Sequence, residues 1–267
     1  MNRVLDDNQR VIEACYQTPH LAHGTIEPMN CAAHVHPGGC DIWVGTQNQE
    51  DARAVAASLT GLPLSKVRVH TQFLGGGFGR RLETDFVADA VEIAKALGEL
   101  VQVIWTRADD LQHDHYRPAH AMRLKAVLNG SGWPAALLMR AAGSGLALDG
   151  IHMPYSVPHF REEHVEVPND VPTGPWRSVG ASNNAFAIES FIDELTYRAG
   201  RDFLNFRLAL LADAPRHRSV LEEVARLAEW HAPLGGGRGR GIAVYQSFGS
   251  VVAQVADVRI GVSLTLA

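Results

Sequence analysis

The chain has 267 residues, of which 46% are hydrophobic and 20% are charged, and its formal net charge is −5 at pH 7. This length allows one or two domains with a sizeable core, and the composition is ordinary for a globular protein. The acidic balance argues against nucleic-acid binding, which calls for a basic surface stripe. Three cysteines without a C-x-x-C pair argue against a disulfide framework or a zinc ribbon.

The two ends of the sequence give expectations about targeting and length. No apolar signal region follows Met1, and no apolar run is long enough to cross a bilayer, so we expect a soluble chain without a membrane span. The apolar stretch 261–267 has no cap or charged tail, which indicates a piece of a longer protein. The compartment stays open: cytoplasmic for the sequence as given, periplasmic if a longer chain carries an export signal.

Strand and helix signals are interspersed along the first part of the chain. In chain order, they predict strand 11–18, the hairpin 31–36 and 40–45, helix 49–60, strand 66–73, helix 83–97, strand 101–105 and the hairpin 120–129 and 134–142. Asn48 is predicted to cap the first of these helices. The stretch 107–118 is predicted to be a polar loop.

A glycine-rich connection after Gly143 suggests a boundary between two lobes, 1–143 and 144–267. The second part of the chain predicts strand 160–167, helices 182–198, 202–212 and 219–230, and strands 241–247 and 251–260. Because strands and helices alternate without regular βαβ repeats, the predicted fold is α+β. We expect mixed sheets in both lobes, each covered by helices on one side.

The most informative stretch runs from Gly75 to Arg81 and reads Gly-Gly-Gly-Phe-Gly-Arg-Arg. Glycines let backbone N–H groups approach a ligand closely, and the N-terminus of the following helix adds partial positive charge. The loop therefore predicts a cradle for a phosphate or another oxyanion, although a tight turn with solvated arginines is an equally good interpretation. Its spacing matches neither a P-loop nor a dinucleotide-binding fingerprint.

Two groups of polar residues allow a metal-based interpretation. The first comprises His20, His23, Glu27 and Asn30, and the second comprises His113, His115 and Asp110. Neither group has the spacing of a compact ligand motif, and hydrogen-bonded or surface histidines explain both more simply. A metal-dependent hydrolase that uses the second group is one alternative function, and no metal ligand is otherwise predicted.

Three separated motifs occur in order: Thr-Gln-Asn at 46–48, Gly-Gly-Gly-Phe-Gly at 75–79 and Pro-Trp-Arg-Ser-Val-Gly at 175–180. Together they resemble the molybdenum-binding large subunit of the xanthine dehydrogenase and aldehyde oxidase family. The stretch 23–30 resembles the His-x-x-x-Glu segment that precedes the cofactor loops of this family. These motifs resemble most the sequence of the bacterial branch called isoquinoline 1-oxidoreductase beta subunit.

This resemblance implies a molybdenum-pterin cofactor, in its cytosine dinucleotide form, and a small [2Fe-2S] partner subunit. The cofactor-binding residues that it implies are Gln47, Gly75, Gly76, Gly77, Phe78, Gly79 and Arg177. Gln47 would donate its amide to an oxo ligand of molybdenum, while Phe78 and Gly79 would lie against the metal centre and the pterin. We therefore expect the glycine loop, the Trp176–Arg177 loop and the Gln47 amide to face one cleft.

The resemblance also implies what the chain lacks. The glutamate base of the family lies near the C-terminus of full-length relatives, and nothing in 241–267 matches it, so the base is expected beyond residue 267 and this chain alone is expected to be inactive. Leu82 and Val179 stand at substrate-pocket positions where purine-oxidising relatives have a glutamate and a phenylalanine. N-heterocycles and aldehydes remain as expected small-molecule substrates. The other alternative function is a non-catalytic fragment that binds the cofactor.

Overall fold

The computed structural model describes residues 11–261, so the expectations for residues 1–7 and 262–267 lie outside the described part. The described residues form two compact units, the first from 11–18, 120–167 and 180–261 and the second from 19–119 and 168–179. These units differ from the linear lobes 1–143 and 144–267, because the chain leaves the first unit after Thr18 and returns to it at His120. Gly143 is the last residue of a strand within the first unit.

The predicted α+β class is confirmed by ten strands and six α-helices among the described residues. In chain order, the strands are β1 (Val11–Thr18), β2 (Asn30–His36), β3 (Gly39–Val44), β4 (Val67–Thr71), β5 (Leu100–Ile104), β6 (His120–Leu128), β7 (Pro134–Gly143), β8 (His159–Glu166), β9 (Arg238–Ser247) and β10 (Ser250–Arg259). The helices are α1 (Gln49–Thr60), α2 (Asp85–Leu97), α3 (Arg107–Gln112), α4 (Ala181–Ala199), α5 (Phe203–Leu210) and α6 (Pro215–Leu227). Within residues 11–261, no helix is both long and apolar enough to cross a membrane.

Helix α3 was not expected, because the stretch 107–118 was predicted to be a polar loop. Thr106 and Asp109 form a reciprocal capping box, in which the Thr106 hydroxyl accepts from the Asp109 N–H at 3.2 Å. Such a box satisfies donors that a helix N-terminus otherwise leaves unpaired, so a short polar segment can still begin a helix. Helix α2 likewise begins at Asp85, two residues later than expected, after a 3₁₀ turn over Arg80–Leu82.

The second unit contains a mixed sheet with the strand order β4-β3-β2-β5. Strands β3 and β4 run parallel, whereas β2 runs antiparallel to both β3 and β5. Helices α1 and α2 bury Ala52, Ala56 and Phe86 in one core with the sheet residues Cys31 and Ile42. This burial explains the apolar face of each helix, and it anchors the segments that follow the parallel strands.

The first unit contains a four-stranded sheet with the order β1-β6-β7-β8 and a separate hairpin of β9 and β10. Strand β8 runs parallel to β7, and the other neighbours in the larger sheet are antiparallel. Helix α4 buries Ile188, Phe191 and Leu195 in one core with the sheet residues Met122 and Met139. Three helices follow residue 180 as predicted and cover this core, although the last one begins at Pro215, four residues earlier than expected, and ends at Leu227.

A buried ionic network ties α4 to α5 in the first unit. Arg207, which is 0% exposed, lies with its Nε 3.0 Å from Glu189 Oε2 and with its Nη1 2.7 Å from Asp193 Oδ1. The Tyr155 hydroxyl donates to Glu189 Oε1 at 2.6 Å, and the Val244 N–H donates to Glu189 Oε2 at 3.2 Å. Burial raises the pKa of Glu189, although the charge of Arg207 opposes this shift. The charged form of this carboxylate is therefore stabilised by its buried partners.

We expect Arg207→Met to lower the free energy of unfolding by about 3–5 kcal/mol, because it leaves the buried Glu189 without its counter-ion. Arg226→Met is the matched control, since Arg226 pairs with Glu223 at the surface and exposed pairs contribute about 0–1 kcal/mol. Urea unfolding of both variants measures the difference. Equal losses would contradict a stabilising role for the buried network.

Candidate functional site

Two parallel strands deliver the first two sequence motifs to the same edge of the sheet in the second unit. Strand β3 ends at Val44 and is followed by the Thr46–Asn48 motif, and β4 ends at Thr71 and leads toward the glycine loop. The pairing of β3 with β4 aligns Val44 with Thr71, and the Gln72 N–H still donates to the Val44 carbonyl at 3.0 Å. The two motifs are therefore neighbours because parallel strands end on one side.

The backbone of the glycine loop has positive φ values at three residues. Gly76 and Gly79 have φ values of 102° and 108°, which glycine adopts without penalty, and Phe78 has a φ of 55°. A bulky residue in this left-handed region is a genuine outlier, and such outliers cluster at functional sites. Phe78 is 44% exposed, and its ring packs against Gly76, where a Cβ would lie 2.9 Å from the ring.

Gln47 is held in one orientation by the glycine loop. Its Oε1 accepts a hydrogen bond from the Gly79 N–H at 2.9 Å, and its own backbone N–H donates to the Arg81 carbonyl at 2.9 Å. Because a backbone N–H can only donate, the amide oxygen must face Gly79 and the Nε2 group must face away. Among the described residues, Nε2 makes no hydrogen bond, and Gln47 is exposed.

The loop also fits tightly around this side chain. A Cβ added to Gly77 would lie 2.4 Å from Gln47 Oε1, so only glycine allows the approach. Asn48 caps α1 as expected, with its Oδ1 accepting from the Asp51 N–H at 3.2 Å. Gln47 itself is therefore not needed for capping, and its amide is available for another purpose.

The two arginines that close the loop are not available to a ligand, contrary to the interpretation that they help bind an oxyanion or lie in solvent. Both are 0% exposed. Arg81 donates to the carbonyls of Gly45 and Gly76 at 3.0 and 2.9 Å and lies 2.8 Å from Glu27 Oε2. Burial lowers the pKa of Arg81 despite the charge of Glu27, which shows how far this guanidinium is removed from water.

Some backbone N–H groups of the loop also donate hydrogen bonds to other groups of the protein. The Gly75 N–H donates to Glu27 Oε2 at 2.7 Å, and the Glu27 N–H donates to the Gly75 carbonyl at 3.1 Å. Burial works against the Glu27 charge, but the Gly75 N–H, Asn30 and Arg81 together lower its pKa. Since Gly75 and Gly79 donate to Glu27 and Gln47, the loop is a shaped wall rather than the open phosphate cradle that its glycines predicted.

The third motif meets the glycine loop directly. A Cβ added to Gly79 would lie 1.7 Å from the Pro175 carbonyl oxygen, so the two backbones are in contact at that point. Ser178 and Val179 have φ values of 65° and 52°, and a β-branched residue such as Val179 rarely adopts them. The structure thus brings two strained loops together that lie about a hundred residues apart in the sequence.

The remaining predicted residues lie around this junction. Arg177 is exposed, whereas Leu82 and Val179 are half-buried. The Trp176 Nε1 atom is buried and has no partner among the described residues, and the Arg117 guanidinium lies 5.3 Å from the Trp176 ring centre. Most buried polar side-chain atoms have a hydrogen-bond partner, so this indole nitrogen is an exception.

The frame of this site consists of His23, Glu27, Arg81 and Asp114, which no sequence pattern singled out for that role. His23 and Glu27 were considered only as possible ligands and as part of the His-x-x-x-Glu resemblance, and Asp114 lay in the expected polar loop. In the structure these four side chains hold the glycine loop and the Pro175 carbonyl in place. The one available signal was the His-x-x-x-Glu spacing.

The metal-hydrolase constellation does not come together. Asp110 pairs with Arg107 at 2.7 Å, His113 Nδ1 lies 3.2 Å from the Asp109 carbonyl, and His115 lies 3.8 Å from Asp85. In the part of the chain that the structure describes, no group of three or more histidine, cysteine, aspartate or glutamate side chains could hold a metal ion. Each of these side chains is therefore explained by a local contact rather than by metal binding.

Two surface cavities of the first unit are separate from these loops. One, of about 860 Å³, is lined by residues such as Ile12 and Arg198, and the other, of about 400 Å³, is lined by residues such as Leu204 and Trp230. Neither is lined by a residue of the three motifs. The strained backbone and the unpaired donors of the second unit therefore identify the candidate site better than cavity size does.

We expect Gly79→Ala to reduce the free energy of unfolding by about 3 kcal/mol, since it adds a backbone collision with Pro175 to the cost of a positive φ. Gly98→Ala is the matched control, because Gly98 has a φ of 69° and a Cβ added there would have no atom within 4 Å. That variant should lose about 1 kcal/mol. Denaturant unfolding distinguishes them, and equal losses would mean that the two loops are not in contact.

Comparisons with known proteins identify the family of this chain. The family model described as the molybdopterin cofactor-binding domain matches residues 1–210. The chain is 32% identical over 266 residues to the isoquinoline 1-oxidoreductase subunit beta of Brevundimonas diminuta, covering 91% of this chain and 33% of that protein. It is 31% identical over 236 residues to the membrane-bound aldehyde dehydrogenase (pyrroloquinoline-quinone) of Gluconacetobacter polyoxogenes, covering 78% of this chain and 30% of that protein.

Among solved structures, the quinoline 2-oxidoreductase of Pseudomonas putida 86 superposes with a TM-score of 0.75 at 19% identity, over 91% of this chain and 36% of that one. This likeness shows a shared fold. The chain spans about a third of the length of the relatives it matches. On the family match and on the identity to isoquinoline 1-oxidoreductase subunit beta, this chain belongs to the molybdopterin cofactor-binding domain family.

Proposed function

We propose that this chain supplies one wall of the cofactor site in a molybdenum hydroxylase that oxidises an N-heterocycle with water as the oxygen source. The observation that carries the proposal is the Gln47 amide, whose Oε1 is fixed by the Gly79 N–H and whose Nε2 donor is left without a partner among the described residues. A neutral amide can donate to an oxo group on a metal without changing the charge of the centre. A glutamate at this position would repel the same group.

The residues at the junction fit such a group. Trp176 Nε1 is a buried donor without a described partner, and the backbone N–H of Gly79 is fixed by its hydrogen bond to Gln47. When bound, the molybdenum-pterin cofactor supplies the oxidation chemistry, and the protein supplies binding and orientation. In this proposal Gln47 orients the metal centre, Phe78 and Gly79 form the surface against which it rests, and Arg177 lines the same side.

Two finer features of the cofactor and assembly belong to the proposal. We propose the cytosine dinucleotide form of the pterin and a small [2Fe-2S] subunit that removes the electrons. The family match supports a molybdopterin, and the relative from Brevundimonas is named as one subunit of its enzyme, which supports a partner subunit. The quinone in the name of the Gluconacetobacter relative belongs to that protein and is not part of the proposal.

An N-heterocycle is favoured over an aldehyde because the relative named for isoquinoline covers 91% of this chain, against 78% for the relative named for an aldehyde. Leu82 and Val179 are half-buried and apolar, and they offer no charged group to a purine. The general base is proposed to lie beyond residue 267, in the part of the relatives that this chain does not span. Without that part, the chain would bind the cofactor weakly or not at all, and it would not turn over substrate.

We expect Gln47→Glu, in a full-length protein assembled with its iron–sulfur partner, to lower turnover of isoquinoline by about 100-fold or more, the usual cost of losing one preorganised donor. Molybdenum content should stay close to that of the unaltered protein, because Gln47 lies at an exposed loop. Asn48→Ser is the matched control, since serine also caps a helix. Metal analysis and steady-state turnover are measured on all three proteins.

Unchanged turnover of Gln47→Glu at equal molybdenum content would contradict the assignment of this residue. A full-length protein that binds the cofactor and oxidises neither isoquinoline nor an aldehyde would instead support the non-catalytic alternative. An aldehyde oxidised in preference to isoquinoline would keep the cofactor assignment and reverse the substrate class.

A further inference from the structure

Helix α6 ends in a backbone conformation that favours glycine. The Trp230 N–H donates to the Ala225 carbonyl at 3.0 Å, and the Glu229 N–H donates to the Arg226 carbonyl at 3.2 Å, which together form a Schellman motif. This motif places Glu229 in the left-handed region, with a φ of 47°. A residue other than glycine carries a conformational cost there, because its Cβ approaches the backbone too closely.

Helix α4 of the same unit ends in the same motif, but with glycine. The Gly200 N–H donates to the Tyr197 carbonyl at 3.1 Å, and the Arg201 N–H donates to the Thr196 carbonyl at 3.2 Å. The φ of Gly200 is 62°. Helices α1 and α2 are each followed by a left-handed glycine as well. Closing a helix in this chain therefore does not require a glutamate, and the end of α6 departs from the pattern.

Arg240 of strand β9 holds this turn in place. Its Nη1 donates to the carbonyl oxygens of Glu229 and Trp230 at 2.8 and 3.2 Å. The same guanidinium donates to both carboxylate oxygens of Asp257 at 2.6 and 2.9 Å. The bonding to Asp257 is the main cause of the raised pKa of Arg240, and the charge of Glu229 makes the smallest contribution. The strained residue is therefore fixed by its surroundings, as is common where strain serves a function.

The strained turn forms one side of the cavity of about 400 Å³ in the first unit. The apolar part of its lining includes Leu204 and Ala225, which are buried, and Trp230, which is half-buried. Trp230 Nε1 donates to Asp202 Oδ2 at 3.1 Å, which fixes the orientation of the indole. The exposed His231 also lies in the lining. Sites for small molecules have volumes of this order and combine apolar walls with a few polar groups.

Two of the carboxylate and guanidinium groups that line the cavity are already paired. Glu222 lies 3.0 Å from Arg218, and Arg226 donates to both carboxylate oxygens of Glu223 at 2.9 and 2.6 Å. Within residues 11–261, the carboxylate of Glu229 has neither an ion pair nor a hydrogen bond. The cavity therefore presents one unpaired negative charge next to an indole ring.

We propose that this cavity binds a small, flat organic cation, with its ring against Trp230 and its positive charge toward the Glu229 carboxylate. An indole offers a cation both apolar area and the attraction of its ring face. Glu229 would repel an anion, and a neutral ring would gain nothing from the carboxylate. The site involves none of the three motifs, so it does not rest on the proposed oxidation of an N-heterocycle.

The first test compares two probes on this chain without cofactor. N-methylquinolinium is a flat ring with a permanent positive charge, and quinoline has nearly the same shape but is uncharged at mildly alkaline pH. Titration calorimetry should show roughly 10-fold tighter binding of the cation, the effect of one opposed charge near a protein surface. Equal affinities, or no binding of the cation, would overturn the proposal.

The second test locates the bound probe. The chain has five tryptophans, and the spectrum of Trp230→Phe identifies which indole ¹H–¹⁵N signal belongs to Trp230. N-methylquinolinium should shift this signal more than the other four. A shift confined to another indole would place the binding elsewhere and contradict the assignment.

Two substitutions separate the role of Glu229 in binding from its role in the fold. Glu229→Gly removes the carboxylate and relieves the backbone strain, so it should weaken binding of N-methylquinolinium about 10-fold and raise the midpoint of thermal unfolding by roughly 2–4 °C. Glu229→Gln keeps the strain and should weaken binding by the same factor at an unchanged midpoint.

Asp213→Asn is the matched control, because Asp213 is exposed, lies in the same unit and does not line the cavity. It removes the same charge and should leave the affinity for N-methylquinolinium unchanged. Both Glu229 variants with the affinity of the unaltered chain would refute the proposal, and so would a loss of affinity in Asp213→Asn equal to theirs.

Discussion

Two buried guanidinium groups organise the candidate site. Arg80 and Arg81 follow the glycine loop directly, and both turn inward, where they meet the carboxylates of Asp85, Asp114 and Glu27. Charges removed from water are tolerated only with such partners, so the loop cannot shift without breaking several ionic contacts. The strained φ values of the neighbouring backbone persist because this frame fixes them.

This arrangement explains why the site is a rigid wall rather than an anion cradle. The N–H groups of Gly75 and Gly79 donate hydrogen bonds to the side chains of Glu27 and Gln47, so the loop fixes these side chains with its own donors. What remains for a ligand is a small set of oriented groups, chiefly the Gln47 amide nitrogen. The chain spans about a third of the length of the matched relative from Brevundimonas.

Much of this could be predicted from the sequence, because local patterns carry the information. Alternation and apolar faces predicted most strands and helices, and three ordered motifs indicated the family. Patterns of this kind do not report which acidic residue neutralises a buried arginine, so Arg80 and Arg81 were expected in solvent or on a ligand. The pairing of His23 with Asp114 was also missed, since the two lie 91 residues apart and only the fold brings them together. Likewise, a linear boundary near Gly143 could not reveal that each unit is built from separated stretches of the chain.

An experimental structure of the cofactor-loaded full-length subunit would test the central claim most directly. The account predicts that the cofactor rests against the backbone of Phe78 and Gly79, with the Gln47 Nε2 group donating to an oxygen on the metal and the Gln47 Oε1 still accepting from the Gly79 N–H. A cofactor bound away from these residues, or a Gln47 amide turned away from the metal, would contradict it.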